Sequence, residues 1–465
     1  MTVGKITIKP ANKGAIITYS IISLLFFGAG ILCFILLLGI QVPGETYTIG
    51  KAITDFFASI SFAGSTLAAY WWVLLLAGLG LILVGFLVGW LLLFLTAKIG
   101  HILVYAGVAF YIVGAIIGVV LAIPFGGALY ALIGLGPAII LIIGLFTNIN
   151  KFKRAGEFMK FTGQVILAEK GMLLAPILIA FSSMISILSM GSIFAYLVFI
   201  FDAIPWLGYL LGSLASLLQL IVYYGTFYVA EAINTTYAYE WYRKRDPDMK
   251  FCRKNVAGNF GPIFAFGVTT ALVSWLQRML RNAAANARTK GAAILAILAR
   301  IVASLLGIIF KYLTYFTLPA IVVEGRKFKD GITRSFNLLK RYYMDVIIRE
   351  TGVDRGMGIL QWIAIFIYGI LGVIAGFVVK MTTNESWTFA MLICVIPAII
   401  FASIPTFFIF RPMKTAYLTF IFAYAQDEES GFKLPTRMPA ALRGDLKSVR
   451  STMDTSKSIA AVVQK

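Results

Sequence analysis

Long uninterrupted apolar runs dominate the chain from residue 15 to residue 424, and polar positions are collected in the short segments between them. Two of these runs, Leu67–Ala97 and Ile102–Ile149, contain no Asp, Glu, Lys or Arg. A continuous run of this length predicts helices that cross a lipid bilayer, where about 20 apolar residues span the hydrocarbon core. A membrane β-barrel is excluded, because its strands would alternate apolar and polar residues.

The pattern predicts an all-α integral membrane protein with about ten transmembrane helices and two interfacial amphipathic helices. The predicted spans are 15–40, 67–97, 102–123, 126–148, 172–200, 203–233, 256–279, 291–323, 357–379 and 388–410.

These spans divide the chain into an N-terminal bundle of about four helices, 15–148, and a C-terminal membrane domain of about six, 149–410. Residues 1–14 precede the first span. Residues 426–465 mix charges with Ser, Thr, Gly and Pro, a composition typical of a disordered tail.

The 40 lysine and arginine residues give a net charge of +20, and their positions matter more than their number. Most of them fall in the segments that are cytoplasmic if both termini are inside, which is the arrangement that the positive-inside rule favours. We therefore expect a multi-pass protein of the cell membrane with cytoplasmic termini and no nucleic-acid partner. The loop 278–290 conflicts with this topology, because it is basic but is placed outside.

Two of the basic segments predict helices lying on the membrane surface. In 325–351, apolar residues such as Phe328, Phe336 and Leu339 recur every three or four positions, with basic residues on the opposite face. The segment 151–170 shows a weaker form of the same pattern. Either helix could anchor the protein to anionic lipids at the cytoplasmic face or act as a gate.

The sixth span carries the first candidate binding residues. Tyr224, Tyr228 and Glu231 follow i, i+4, i+7 spacing, which places two aromatic rings and a carboxylate on one helical face. Aromatic faces with a single acid suit a quaternary ammonium ligand, which is held by cation–π attraction. The alternative for the aromatic residues of this span is an interfacial belt of Trp and Tyr.

The eighth span carries two further candidates, Arg300 and Lys311. They are eleven residues apart, close to three helical turns, so they share a face with Ser304, Gly307 and Thr314. A charge inside a span costs at least about 2.5 kcal/mol in lipid and therefore faces protein or water. This stripe could line a permeation path or pair with acids such as Asp202 and Glu231.

Nothing in the sequence predicts an enzyme, a cofactor or a metal site. His101 is the one histidine, and neither a phosphate-binding loop nor a metal-binding motif occurs. The three cysteines are far apart and have no CxxC spacing.

Several segments resemble the choline transporter-like family of membrane proteins, and together they cover residues 150–410. The segments that carry the resemblance are Lys151–Pro176, Ala238-Tyr239-Glu240-Trp241-Tyr242, Asn259–Gly267 and Gly325–Leu339. In addition, Pro319–Gly325 is similar to a motif of uncharacterised prokaryotic multi-pass membrane proteins. The resemblance implies a membrane transporter with choline or a related amine as its substrate.

Two function hypotheses follow. The first is a transporter that moves a small organic cation such as choline by facilitated diffusion or ion coupling, with Tyr224, Tyr228, Glu231, Arg300 and Lys311 at the substrate site. The second is a non-transporting membrane scaffold or lipid-interacting protein that acts through its basic surface.

Overall fold

The computed structural model describes residues 5–41, 48–51, 71–122, 139, 142–143, 149–201, 203–285, 290–382, 387–430 and 436–437. Its longer helices are α1 (Lys13–Gly39), α2 (Trp71–Ala122), α3 (Ile149–Ala168), α4 (Leu174–Ile200), α5 (Pro205–Tyr242), α6 (Met249–Gly258), α7 (Phe260–Ala285), α8 (Lys290–Leu313), α9 (Thr317–Glu324), α10 (Phe328–Thr382), α11 (Trp387–Phe401) and α12 (Ser403–Ser430).

The described residues confirm an all-α protein with membrane-type helices. Seven helical stretches are long and apolar enough to cross a bilayer: Lys13–Gly39, Leu83–Val120, Lys170–Ile200, Pro205–Tyr242, Phe260–Ala285, Leu295–Glu324 and Val353–Val378. Large apolar side chains such as Leu24, Leu87 and Ile187 are exposed on them, as expected of faces covered by lipid. The total of about ten spans stays a prediction, and the predicted span 126–148 lies almost entirely outside the described residues.

The helix ends follow local capping chemistry. The Asn12 side chain accepts a hydrogen bond from the Ala15 amide at 3.2 Å at the start of α1, and Asp248 accepts one from the Phe251 amide at 2.6 Å at the start of α6. Pro205 occupies the first turn of α5, where its missing N–H has no consequence. Gly325 ends α9 with φ of 65°, a conformation that glycine adopts without strain.

Several predicted boundaries differ from the structure. The predicted gap between 67–97 and 102–123 corresponds to non-helical backbone at Ile99 (φ −123°, ψ 26°) inside α2. In contrast, the predicted interfacial helix 325–351 and the span 357–379 form one helix, α10, because no proline interrupts them. The predicted span 388–410 breaks at Ala402 instead, and α12 then continues to Ser430. Residues 426–430 therefore belong to a helix and not to a disordered tail.

The helices of the predicted N-terminal bundle pack against different partners. Helix α1 packs mainly on α4 and α5, whereas α2 packs on α3 and α10. Close approach between α1 and α4 depends on Gly30, where an added Cβ would meet Ser189 at 2.4 Å. The two helices thus belong to the packing of the C-terminal domain.

The main core includes the end of the molecule at which α5 terminates, and it is built from α2, α3, the last turns of α5, α9, α10 and α12. Every residue of α5 from Ala230 to Tyr242 is buried, whereas the stretch before it is a mixture of buried and exposed positions. The apolar residues of α3 lie in this core, where Phe158, Met159 and Val165 are fully buried. On the predicted apolar face of 325–351, Leu339 is also buried but Phe336 is 47% exposed, so protein covers the apolar residues of α3 and only part of this face of α10.

The same end of the molecule carries a surface that we call the basic face, formed by residues 5–12, 243–254 and 325–329. The Asn12 amide donates to the Ala257 carbonyl at 3.0 Å, and the Lys9 ammonium donates to the Gly325 carbonyl. Near the other end of the chain, the Arg437 amide donates to the Tyr242 carbonyl at 2.9 Å. Both described ends of the chain therefore lie on one side, as the predicted topology requires; that this side is cytoplasmic stays a prediction.

Beneath the basic face lies an ion-pair cluster of Arg243, Asp427, Glu324, Arg334 and Glu429. Arg243 donates to both carboxylate oxygens of Asp427, at 2.9 and 2.6 Å. Arg334 bridges Glu324 at 3.1 Å and Glu429 at 2.5 Å. Burial opposes the charge on Arg243, but its hydrogen bonds to Asp427 prevail and raise its pKa above the usual value. These pairs join α5, α9, α10 and α12.

Candidate functional site

A cavity of about 640 Å³ lies between α5, α7, α8, α9, α10 and α12. Tyr224, Tyr228, Glu231 and Lys311 line it, so four of the five residues predicted from the sequence lie at one site. Gly307 and Thr314, which the helical periodicity places on the same face as Lys311, line it as well. The volume is within the range of about 300–1,000 Å³ that is usual for small-molecule sites.

Arg300 does not belong to this cavity. It is exposed on α8, and the cavity lining includes Lys311 but not Arg300. The eleven residues between them correspond to about 16 Å along a helix, which is enough to separate two residues that share a face. Asp202, a predicted partner for the two cations, lies outside the described residues.

Glu231 is the one acidic residue that lines the cavity, and its side chain is buried. It lies where α5 passes from its mixed surface into the protein core. The hydroxyl of Thr415, on α12, donates a hydrogen bond to the Glu231 carboxylate. Arg411, one turn before Thr415, is close enough to attract the same carboxylate electrostatically.

The two tyrosines are held firmly by their neighbours. Ser274 donates to the Tyr224 hydroxyl at 2.9 Å, and Thr270 donates to the Tyr228 hydroxyl at 3.2 Å. The Tyr228 ring stacks on Phe266, with ring centroids 4.1 Å apart, and on Tyr224, with centroids 6.2 Å apart. Tyr228 therefore contributes mainly its edge and hydroxyl to the cavity, because neighbouring rings lie against its faces.

Arg411 and Lys414 line the cavity and were not among the predicted site residues. The Arg411 guanidinium carbon lies 4.5 Å from the centre of the Phe227 ring and 5.2 Å from that of Phe407. The aromatic residues of this site thus already hold a cation that the protein itself supplies. The Lys414 ammonium forms an ion pair with Asp354 of α10 at 3.1 Å.

The sequence contained one signal for these two residues. Arg411, Lys414 and Thr415 have i, i+3, i+4 spacing, so they share a face if the helix continues. The predicted span ended at residue 410, which assigned both cations to a cytoplasmic segment. Helix α12 instead continues past Pro412 and brings them to Glu231.

In the part of the chain that the structure describes, no cluster of three His, Cys, Asp or Glu residues could hold a metal ion. The described lining of the cavity presents aromatic rings, hydroxyls, one carboxylate and three basic side chains.

Comparison with known sequences finds a family model that matches the part of the chain containing this site. Residues 210–432 match a family of unknown function (DUF6159). The match extends from the first turns of α5 to the end of α12 and contains every cavity residue described above, whereas α1–α4 lie outside it. No curated protein matches the chain.

Proposed function

We propose that the protein is a membrane transporter and that the cavity binds a small organic solute with a choline-like ammonium group. Transport would occur by facilitated diffusion or by ion coupling. The observation that carries the proposal is that Tyr224, Tyr228, Glu231 and Lys311 line one cavity among helices apolar enough to span a membrane.

The Glu231 carboxylate is the group that selects for an ammonium ion. A buried carboxylate is costly unless a positive group and hydrogen-bond donors compensate it. Thr415 supplies a hydrogen bond, Arg411 attracts the carboxylate, and a ligand ammonium would add further compensating charge. The hydroxyls of Tyr224 and Tyr228 border the same space and would contact the methyl or methylene groups around that charge.

Binding and passage, without a chemical step, account for this set of groups. The hydroxyls of the two tyrosines are engaged by Thr270 and Ser274, and the Glu231 carboxylate by Thr415. Such contacts hold side chains in fixed positions, as a selective binding site requires. We therefore do not propose an enzyme.

The direct test is uptake of radiolabelled choline into liposomes containing the purified protein, with and without an ion gradient. Saturable uptake that unlabelled choline competes with would support transport, and its dependence on the gradient would identify the energy source. Glu231→Gln is expected to abolish saturable uptake. The matched control is Glu157→Gln, since Glu157 is a partly buried glutamate of α3 that does not line the cavity. Unchanged kinetics for Glu231→Gln would overturn its role.

A second candidate function, favoured by the basic face, is that of a scaffold or lipid-interacting protein. Lys250, Lys254, Lys327 and Lys329 are exposed there, and clustered basic residues attract anionic lipids. Native mass spectrometry can count the anionic and zwitterionic lipids retained by the purified protein at low and high salt. This function predicts that salt and a Lys327→Gln/Lys329→Gln variant both remove anionic lipid selectively; equal retention of both lipid classes would contradict it.

A further inference from the structure

We propose that the ligand of the cavity is a zwitterion, a molecule that joins an ammonium group to a carboxylate or phosphate. This inference rests on the proposed function and names its substrate class more narrowly. The observation behind it is that Arg411 lines the same cavity as Glu231 and is carried by the same helix as the hydroxyl bound to Glu231.

Charge is the first argument. A ligand that carries only a positive charge would gain from Glu231 but would be repelled by Arg411, and the two effects oppose each other in a site of low dielectric constant. Lys414 is already paired with Asp354, and Lys311 has interactions of its own, so the inference depends on Arg411. A ligand that carries one positive and one negative charge can pair its ammonium with Glu231 and its anionic group with Arg411.

The chemistry of Arg411 is the second argument. Its guanidinium lies over the rings of Phe227 and Phe407, and neither ring is a carboxylate or carbonyl acceptor for its N–H groups. Tyr223 is a hydrogen-bond partner of Arg411. A guanidinium carries five N–H donors in its plane, and these form the paired hydrogen bonds that carboxylates and phosphates accept.

The spacing of the two charges is the third argument. Thr415 is one helical turn from Arg411, and its hydroxyl contacts both the Glu231 carboxylate and, at 3.2 Å, the Arg411 carbonyl. Arg411 and Thr415, the residue that contacts Glu231, are about one turn of α12 apart along the helix axis, roughly 5–6 Å, and Arg411 is near enough to attract the Glu231 carboxylate. A zwitterion whose charges are separated by a few bonds would span that distance and leave the net charge of the cavity unchanged.

The test measures equilibrium binding to the purified full-length protein with radiolabelled choline and glycine betaine, and with phosphocholine as competitor. We expect betaine and phosphocholine to bind about tenfold or more tighter than choline, since charge-assisted hydrogen bonds are roughly twice as strong as neutral ones. Arg411→Gln is expected to remove this preference and to strengthen choline binding, because it removes a positive charge that repels a cationic ligand. Arg300→Gln is the matched control, because Arg300 lies on a membrane-type helix outside the cavity.

A fold check accompanies the variants. Arg411→Lys keeps the charge but not the paired donors, so it is expected to retain part of the preference and to unfold at the wild-type temperature. A full preference in folded Arg411→Gln would overturn the inference.

The other outcomes separate this inference from the proposed function. Equal affinity for choline and betaine in the wild-type protein would overturn the zwitterion and leave the ammonium transporter standing. Competition by acetate or inorganic phosphate as strong as that of betaine, with no effect of Glu231→Gln, would overturn both. Absence of binding by all these probes would also overturn both.

A zwitterionic group of this kind could belong to a soluble molecule or to a lipid headgroup. Binding of glycerophosphocholine is therefore measured in nanodiscs of phosphatidylcholine and in nanodiscs of phosphatidylglycerol. Weaker binding in phosphatidylcholine identifies the headgroup as the occupant, and equal binding identifies a soluble zwitterion. Both results support the inference and assign the source.

Discussion

The ion-pair cluster and the cavity both bury charged side chains, but they satisfy them in different ways. In the cluster, Arg243 and Asp427 meet at 2.6 and 2.9 Å, so each charge is neutralised by a partner in the protein. In the cavity, the Glu231 carboxylate receives a neutral hydroxyl, and Arg411 lies against aromatic rings. Removing one member of the Arg243–Asp427 pair leaves a buried charge without compensation, whereas the Glu231 carboxylate receives a hydroxyl and the attraction of Arg411 and still lines a cavity that a ligand can enter.

The largest effect on stability is expected from Asp427→Asn, which leaves Arg243 buried without its counter-ion. Breaking a buried pair in this way typically costs about 3–5 kcal/mol. Thermal unfolding in detergent, followed by tryptophan fluorescence, should show a strongly lowered midpoint. A midpoint equal to that of the wild-type protein would mean that the ion-pair cluster does not stabilise the fold.

The cavity should respond in the opposite manner to Glu231→Gln. The glutamine keeps an oxygen that can accept from Thr415 and removes a buried charge, so the unfolding midpoint is expected to stay the same or rise. Ligand affinity should fall by roughly tenfold to a hundredfold, the range expected when a charge-assisted contact is lost. A large loss of stability together with unchanged ligand affinity would mean that Glu231 stabilises the fold and does not bind the ligand.

A smaller effect is expected from Thr415→Val, which removes the hydroxyl but keeps the volume. The Glu231 carboxylate then loses its hydrogen bond, which is worth about 1–3 kcal/mol because the acceptor is charged. Ligand affinity should change with it, since the carboxylate is no longer fixed in position. Thr419→Val, a buried α12 threonine that does not line the cavity, serves as the control in the same binding assay.

The smallest effect is expected from Arg437→Gln. Arg437 pairs with Asp246 at 2.9 Å, but Asp246 is 91% exposed. Exposed pairs contribute about 0–1 kcal/mol, because water solvates both charges when they separate. The unfolding midpoint should therefore stay close to that of the wild-type protein, in contrast to Asp427→Asn.

The sequence predicted those parts of the site that lie on one helix. Tyr224, Tyr228 and Glu231 share a face of α5, and helical periodicity was enough to group them. Arg411 was missed because charge at the end of an apolar run looks like the start of a loop, and only the packing of α12 shows that the helix continues. Arg300 was included because it shares a helical face with Lys311. The sequence does not show how far along α8 the cavity extends, and the cavity ends before Arg300.

The class of fold was predictable from the sequence, but the position of the core was not. The apolar face of a basic amphipathic helix has the same pattern whether lipid or protein covers it. For this reason Phe158 and Leu339 were placed at a lipid interface, whereas the structure buries both in protein. Whether lipid or protein covers such a face depends on which other helices pack beside it, and a single sequence does not reveal that arrangement.

For a transporter of the kind proposed, the burial pattern of α5 would also set how deep a solute must travel. The partly exposed stretch Pro205–Val229 is about 37 Å long at 1.5 Å per residue, enough to cross a hydrocarbon core of about 30 Å. Glu231 comes just after it, toward the basic face. A solute bound there has one short and one long way out, so nearly the whole membrane voltage would fall on the long side. An electroneutral solute would cross that distance without electrical work, whereas a cation would be sensitive to the voltage at almost every step.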